Sequence, residues 1–159
     1  MESGVIRLSR GVYCYPERAG NSGKLLVPSP EIIAEHLARR WRLRIAPYGA
    51  NAAYLAGFTG LQVDRYTWAS DGSDQVFHLQ NGITITFKKR KSQKIFQYRS
   101  TRMRNLVEAM RFLGKEYTTH TEGRGVIADN LQWVKDDEFL HDVRLAPLWI
   151  RETLKEIRG

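Results

Sequence analysis

The strongest constraint on the fold is a hairpin signal in the middle of the chain, QVFHLQNGITITFKK, at residues 75–89. Asn81-Gly82 is a residue pair that two-residue turns between antiparallel strands prefer, because both turn positions require a positive φ. Apolar and polar side chains alternate after the turn, which is the period of a strand with one buried and one wet face. The segment therefore predicts strands over residues 75–79 and 83–89, joined by this turn.

A third strand is predicted at residues 65–70, with Asp71-Gly72 as the turn that connects it to the strand at 75–79. Before these strands, Ser29-Pro30 predicts the start of a helix, since serine caps helices and proline suits the first helical position. The buried stripe of that helix is predicted to contain Ile32, Ile33, Leu37 and Trp41.

Small residues crowd positions 47–60, PYGANAAYLAGFTG. They predict a short helix that approaches its neighbours closely and ends at Gly57 and Gly60. The segment lacks the spacing of a glycine-rich nucleotide loop, so tight packing is the better interpretation. A further helix is predicted over 102–113, ended by Gly114, and the chain from residue 126 onward is predicted to be helical.

A second strand-turn-strand pattern, GVIRLSRGVYCYP, occupies residues 4–16. A ribbon of this size buries too little apolar surface to be stable alone, so we expect the following domain or a partner chain to cover it. Arg7, Arg10 and Arg18 place positive charge on and just beyond it, as in the wing of a winged helix, whose arginines contact DNA phosphates. Only three residues precede the ribbon in this sequence. Without a recognition helix before it, promoter binding is expected to be weakened or lost.

These elements predict an α+β fold, in which a wing-like hairpin precedes a mixed domain with a small antiparallel sheet and a helical C-terminal part. The predicted division is a wing remnant at residues 1–18, a linker at 19–28 and an α+β domain at 29–159.

Positive charge concentrates in one segment. The formal net charge is +8, and residues 75–107 contain eight cations and no acid. Such a segment attracts polyanions, so nucleic acid or an acidic protein surface is the expected partner, with a merely solvated basic face as the alternative. Phe96 and Tyr98 lie among the charges and fit either stacking on unpaired bases or burial in the core. The predicted nucleic-acid-binding residues are Arg7, Arg10, Arg18, Lys88, Lys89, Arg90, Lys91, Lys94, Arg99 and Arg102.

Catalytic and metal-binding patterns are weak. The four histidines are scattered, and the single cysteine, Cys14, excludes an internal disulfide and a cysteine-rich zinc site. A metal-dependent nuclease would need paired carboxylates, for which Asp71, Asp74 and the acids at 136–138 are the candidates. The last group is better explained as the first turn of a helix. We therefore predict no enzymatic activity, no cofactor and no metal. No segment has the length and apolarity of a membrane span or signal peptide, which predicts a cytoplasmic protein.

Several segments together resemble the AbiEi-type antitoxins of bacterial abortive-infection (type IV) toxin–antitoxin systems. They are GVIRLSRGVYCYP, ARRWRLRIAPYGANAAYLAGF, NGITITFKK, MRFLG and HDVRLAPLWIRETL, in this order along the chain. The small-residue block at 46–57 and the segment at 141–154 are the most specific of them.

The resemblance implies a winged-helix repressor fused to a helix-and-sheet domain, with no catalytic residues. Residues 5–15 would be the wing, and residues 29–159 would be the domain that opposes a nucleotidyltransferase-like toxin, directly or indirectly. DNA binding would involve the wing and the basic segment. The alternative is a basic nucleic-acid-binding module, a transcriptional regulator, that has no toxin partner.

Overall fold

The computed structural model describes residues 28–58 and 66–159 with their side chains, and only the backbone of Arg65 and of four short strands before residue 28. Those four strands are β1 (Ile6–Ser9), β2 (Val12–Cys14), β3 (Glu17–Ala19) and β4 (Lys24–Leu26).

The four N-terminal strands form two antiparallel ribbons. In the first, β1 pairs with β2 as the sequence predicts, and Ile6 is opposite Cys14. In the second, β3, at the end of the predicted wing remnant, pairs with β4, which lies in the segment that the sequence predicts to be a linker. The backbone of β1 lies beside β7 (Gln75–His78), an edge strand of the main sheet, so the following domain flanks this ribbon. The predicted turn at Arg10 and Gly11 lies outside the described residues, and the division into domains stays a prediction.

The main sheet has four strands in the order β5-β6-β8-β7. They are β5 (Ile45–Pro47), β6 (Arg65–Ser70), β7 and β8 (Thr84–Lys89). The β7–β8 hairpin is confirmed, with Phe77 opposite Ile85. The predicted two-residue turn is wrong, because Gly82 has a positive φ of +87° but Asn81 does not, and the Gly82 N–H donates a hydrogen bond to the Leu79 carbonyl oxygen at 3.1 Å across a longer loop. The α+β class and the helical C-terminal part are confirmed as well, although one strand pair of the sheet is parallel.

The predicted hairpin between residues 65–70 and 75–79 is wrong. β6 pairs with β8 in parallel, and residues 71–74 cross the end of β8 to reach the far edge of the sheet. Asp74 accepts a hydrogen bond from the Lys89 backbone N–H at 2.7 Å, which holds the crossing in place. The hydrophobic effect explains this order of strands. β8 buries Ile85 and Phe87 completely and therefore takes a central position in the sheet.

One face of the sheet packs against α1 (Pro30–Arg40), which Ser29 caps by accepting a hydrogen bond from the Ile32 backbone N–H. Ile33 and Leu37 meet the sheet residues Trp68, Ile85 and Phe87 there. The predicted stripe was partly wrong, because Ile32 and Trp41 are 55% and 40% exposed. Ala34 and Ala38 are the helical neighbours that complete the buried side.

The other face is partly covered by α2 (Ala50–Ala56) and α3 (Thr101–Leu113). Ala52 and Ala53 are fully buried, so the small-residue block allows the close packing that its sequence predicts. Gly57 ends α2 at φ +94°, and Gly114 ends α3 at φ +88°. Gly60 lies outside the described residues.

Four further helices extend the core beyond α3. They are α4 (Lys115–Thr118), α5 (Thr121–Leu131), α6 (Asp136–Asp142) and α7 (Leu148–Arg158). Their largest apolar cluster joins Leu106 and Met110 of α3 to Ile127 of α5 and to Ile150 and Leu154 of α7. The three acids at 136–138 form the first turn of α6, where negative charge favours the helix dipole, as predicted.

Candidate functional site

The structure divides the predicted basic segment into two groups. Lys88 and Lys89 end β8, Lys94 begins a short 3-10 helix, and Arg102 lies in the first turn of α3. The first group consists of exposed side chains that form no ion pair with any described residue: Lys88, Lys89, Lys91, Lys94, Arg99 and Arg102. Arg90 is different, because it is half-buried and paired.

Arg90 lies in a cleft of about 760 Å³ on the sheet face opposite α1. The sheet contributes Thr67, Thr86 and Lys88. The start of α2 contributes a second wall, and α3 contributes the third. The remaining lining residues are Tyr48, Gly49, Ala50, Glu108, Arg111 and Phe112.

Among the described residues, Glu108 is the one acid that lines this cleft, and its side chain is 4% exposed. Its Oε2 lies 3.6 Å from Arg90 Nη1, and its Oε1 lies 3.6 Å from Arg111 Nε. Burial raises the pKa of Glu108, although the charges of Arg90, Arg111 and Arg104 oppose the rise. The carboxylate of Glu108 therefore contacts the guanidinium groups of both Arg90 and Arg111.

Tyr48 fixes Arg90 from the other side. The Arg90 Cζ lies 4.8 Å from the centre of the Tyr48 ring, within the range of a cation–π contact. The Arg90 side chain remains 21% exposed and that of Arg111 39%. Neither guanidinium donates a hydrogen bond to another described residue, so their N–H groups stay available to a ligand.

The two predicted stacking aromatics both pack against the protein. Phe96 joins the small cluster around Ala46 and lies under Arg44, whose Cζ is 5.0 Å from its ring centre. Tyr98 packs against the helical core, where burial and the nearby carboxylates of Glu108 and Asp142 raise the pKa of its hydroxyl. The interpretation as core aromatics is therefore right for both.

The wing arginines lie where side chains are not described. Arg7 is opposite Tyr13 in the first ribbon, and Arg18 is opposite Leu25 in the second. Arg10 lies outside the described residues. Their predicted contacts with phosphates stay a prediction.

Four of the five candidate metal-binding carboxylates have structural partners: Asp71, Asp74, Asp136 and Glu138. Asp71 accepts hydrogen bonds from the backbone N–H and the Nε of Arg44 at 2.9 and 3.1 Å. Desolvation works against ionisation of Asp71, but these hydrogen bonds and the Arg44 charge outweigh it and lower its pKa. Within the part of the chain that the structure describes, no three His, Cys, Asp or Glu side chains group as metal ligands would.

Of the described residues that line the cleft, sequence reasoning named only Lys88 and Arg90 as site residues, and it missed Tyr48, Glu108, Arg111 and Phe112 among others. A signal for two of them exists, because Glu108 is the first acid after the basic segment and Arg111 follows it by one helical turn. No local pattern links Tyr48 to Arg90, since the two are far apart in the sequence and their contact depends on the folded sheet.

The chain matches the sequence profile of a family of unknown function (DUF6088) over residues 2–138. The searches of curated proteins and of solved structures gave no match. None of the helices in the described ranges has the length and apolarity needed to cross a bilayer.

Proposed function

The chain belongs to this family of unknown function (DUF6088). From the segments that resemble AbiEi-type antitoxins, we propose that it is an antitoxin of a type IV abortive-infection system. It opposes a nucleotidyltransferase-like toxin, directly or indirectly.

The observation that carries this proposal is the order of the elements. Two two-stranded ribbons, β1–β2 and β3–β4, precede a helix-and-sheet domain, and the first ribbon lies where the resemblance to AbiEi-type antitoxins implies a wing. The two most specific segments of the resemblance also support it. Residues 46–57 include the tightly packed α2, and residues 141–154 include the buried Ile150 and Leu154 of α7.

Co-expression tests the antitoxin role. A nucleotidyltransferase-like gene from the same genomic neighbourhood is induced in a bacterial host, with or without this chain from a second promoter. We expect growth arrest with the toxin alone and restored growth with both. A chain with Leu106→Asp, which places a charge in the core, is the control and should not rescue. Continued arrest in the presence of folded, soluble wild-type chain would contradict the proposal.

A second function is favoured by the exposed cations of the basic segment. Six of them form no ion pair among the described residues, as a surface that meets phosphates requires. The chain would then be a nucleic-acid-binding module, a transcriptional regulator without a toxin partner. In either case we place it in the cytoplasm, without cofactor or catalysis.

Salt dependence tests this second function. Binding of duplex and single-stranded DNA is measured by anisotropy over a range of salt concentrations, for the wild type and for the triple variant Lys89→Gln, Lys91→Gln, Lys94→Gln. Each lost phosphate contact should reduce the slope of log K against log salt by about 0.7 to 0.9. Unchanged slopes would rule out this surface.

A further inference from the structure

We propose that the cleft between the sheet, α2 and α3 binds a nucleoside phosphate. The phosphate would contact Lys88, Arg90 and Arg111, and the base would lie against Phe112. This inference goes beyond the antitoxin role and does not depend on a toxin partner. The ligand could be a free nucleotide or the phosphorylated end of a nucleic acid strand, since both present the same chemical group.

The charge of the cleft selects an anion. Among the described lining residues, three cations face the one carboxylate of Glu108, so these residues carry a net charge of about +2 when ionised. Ligand sites are typically about 300 to 1,000 Å³ in volume, and the cleft has about 760 Å³. It therefore has room for more than a single inorganic anion.

The two arginines are positioned before any ligand arrives. Glu108 contacts both guanidinium groups at 3.6 Å, and the face of the Tyr48 ring packs against the guanidinium group of Arg90. Each contact uses only part of a guanidinium group, which has five N–H donors arranged as a rigid fork. That fork matches the oxygens of a phosphate, and prior positioning lowers the entropy cost of binding.

The remaining lining residues complete a site for a nucleoside. Lys88 is exposed and unpaired among the described residues, so it can reach a phosphate as a mobile point charge. The hydroxyls of Thr67 and Thr86 can donate and accept hydrogen bonds with a sugar. Phe112 is 53% exposed, although it is a large apolar residue, and offers its ring to a base.

Titration calorimetry on the full chain tests the site with ADP, GDP, CDP and UDP, and with pyrophosphate as the probe for charge alone. We expect saturable one-to-one binding of at least one nucleoside diphosphate, with weaker binding of pyrophosphate. Phe112→Ala should remove that difference. Lys88→Gln and Arg111→Gln should each weaken binding by about tenfold or more, as expected for the loss of a charged hydrogen bond.

Lys91→Gln is the matched control, because it removes one exposed lysine from the same segment outside the cleft. Its affinity should stay within about twofold of the wild type, since only a general field is weakened. Lys88 is exposed, so its variant remains informative even if the Arg111 variant fails to fold.

An oligonucleotide with a 5′-phosphate and its unphosphorylated twin distinguish the two sources of the ligand. A preference for the phosphorylated strand that Lys88→Gln abolishes would support the strand end, and tighter binding of free nucleotide would support the nucleotide. No binding at millimolar nucleotide, equal losses in Lys88→Gln and Lys91→Gln, or equal affinity for pyrophosphate and nucleotide would overturn the proposal. Rescue from a toxin is scored separately, so either proposal can fail alone.

Discussion

Glu108 shows how one residue serves both stability and ligand chemistry. It is nearly buried, yet it is held by two arginines that also face the cleft. Burial of a carboxylate disfavours its charged form, and the arginines compensate for only part of that cost, so its pKa is raised. Asp71 is the opposite case, because its partner Arg44 lowers its pKa below the ordinary value.

The two shifts predict opposite dependences of stability on pH. A carboxyl with a raised pKa in the folded state contributes stability below its ordinary value of 4.5, and that contribution is lost as the pH rises through the raised pKa. The free energy of unfolding of the wild type should therefore fall, relative to Glu108→Gln, as the pH increases from 4.5. Urea denaturation at a series of pH values measures this difference.

Asp71→Asn is the control for this experiment. A carboxyl with a lowered pKa contributes stability above its ordinary value of 3.8, which is lost as the pH falls through the lowered pKa. The wild type should therefore lose stability relative to this variant on acidification. Parallel curves for the wild type and Glu108→Gln would show that the carboxyl of Glu108 does not titrate differently on folding.

At the scale of elements, α5 contains two glycines with opposite surroundings. A methyl group at Gly123 would lie 2.5 Å from the Thr118 carbonyl oxygen and 2.9 Å from that of Tyr117, both backbone atoms at the end of α4. A methyl group at Gly125 would meet no atom within 4 Å. The close approach of α4 and α5 therefore depends on the first glycine only.

Alanine at these two positions should change stability in opposite directions. Gly123→Ala forces two backbones apart and should lower the free energy of unfolding by about 2 kcal/mol or more. Gly125→Ala should raise it by about 0.5 to 1 kcal/mol, because alanine is the better helix former. Chemical denaturation of both variants measures the difference, and destabilisation of equal size would contradict the contact at Gly123.

Elements with a local signal could be predicted from the sequence, and their partners could not. Gly82 supplies the positive φ that the β7–β8 turn uses, and the Ser29 side chain caps the start of α1. Asp71-Gly72 has the composition of a turn, but no local feature of the sequence shows which strand lies beside β6 in the sheet. The pairing of β6 with β8 depends on the burial of Ile85 and Phe87, a property of the assembled core.

The candidate site follows the same rule. The sequence marks Lys88 and Arg90 as basic residues, but the cleft needs the approach of α3 to the sheet, which places Glu108 and Arg111 beside them. The run of basic residues was therefore predictable from the sequence, whereas the sequence could not show which of these residues line the cleft.

At the scale of the whole molecule, the core extends beyond the residues that the family profile matches. The match ends at residue 138, yet Ile150 and Leu154 of α7 are fully buried in the largest apolar cluster. Arg158 adds polar contacts, donating hydrogen bonds to the backbone carbonyls of Leu131 and Val134, both at 3.0 Å. α7 is therefore an integral part of the helical domain.

Truncation of α7 side chains should reveal this dependence. Leu154→Ala leaves a cavity in the cluster and should cost about 2 to 4 kcal/mol of unfolding free energy. Leu148→Ala is the control on the same helix, because Leu148 is 65% exposed, and should change stability by less than about 0.5 kcal/mol. A loss below about 1 kcal/mol for Leu154→Ala would mean that α7 contributes little to the core.

The crossing of residues 71–74 over β8 has a consequence for the kinetics of folding. The β7–β8 hairpin closes over a short loop and can form within microseconds. The paired residues of β6 and β8, such as Arg65 and Thr84, are nineteen positions apart. β6 must pair with the free edge of β8, although the strand that follows β6 directly in the chain is β7, on the other side of β8. We therefore expect docking of β6 on β8 to be slower than closure of the β7–β8 hairpin, so the rate of this step should depend on the loop at 71–74 more than on the turn at Asn81-Gly82.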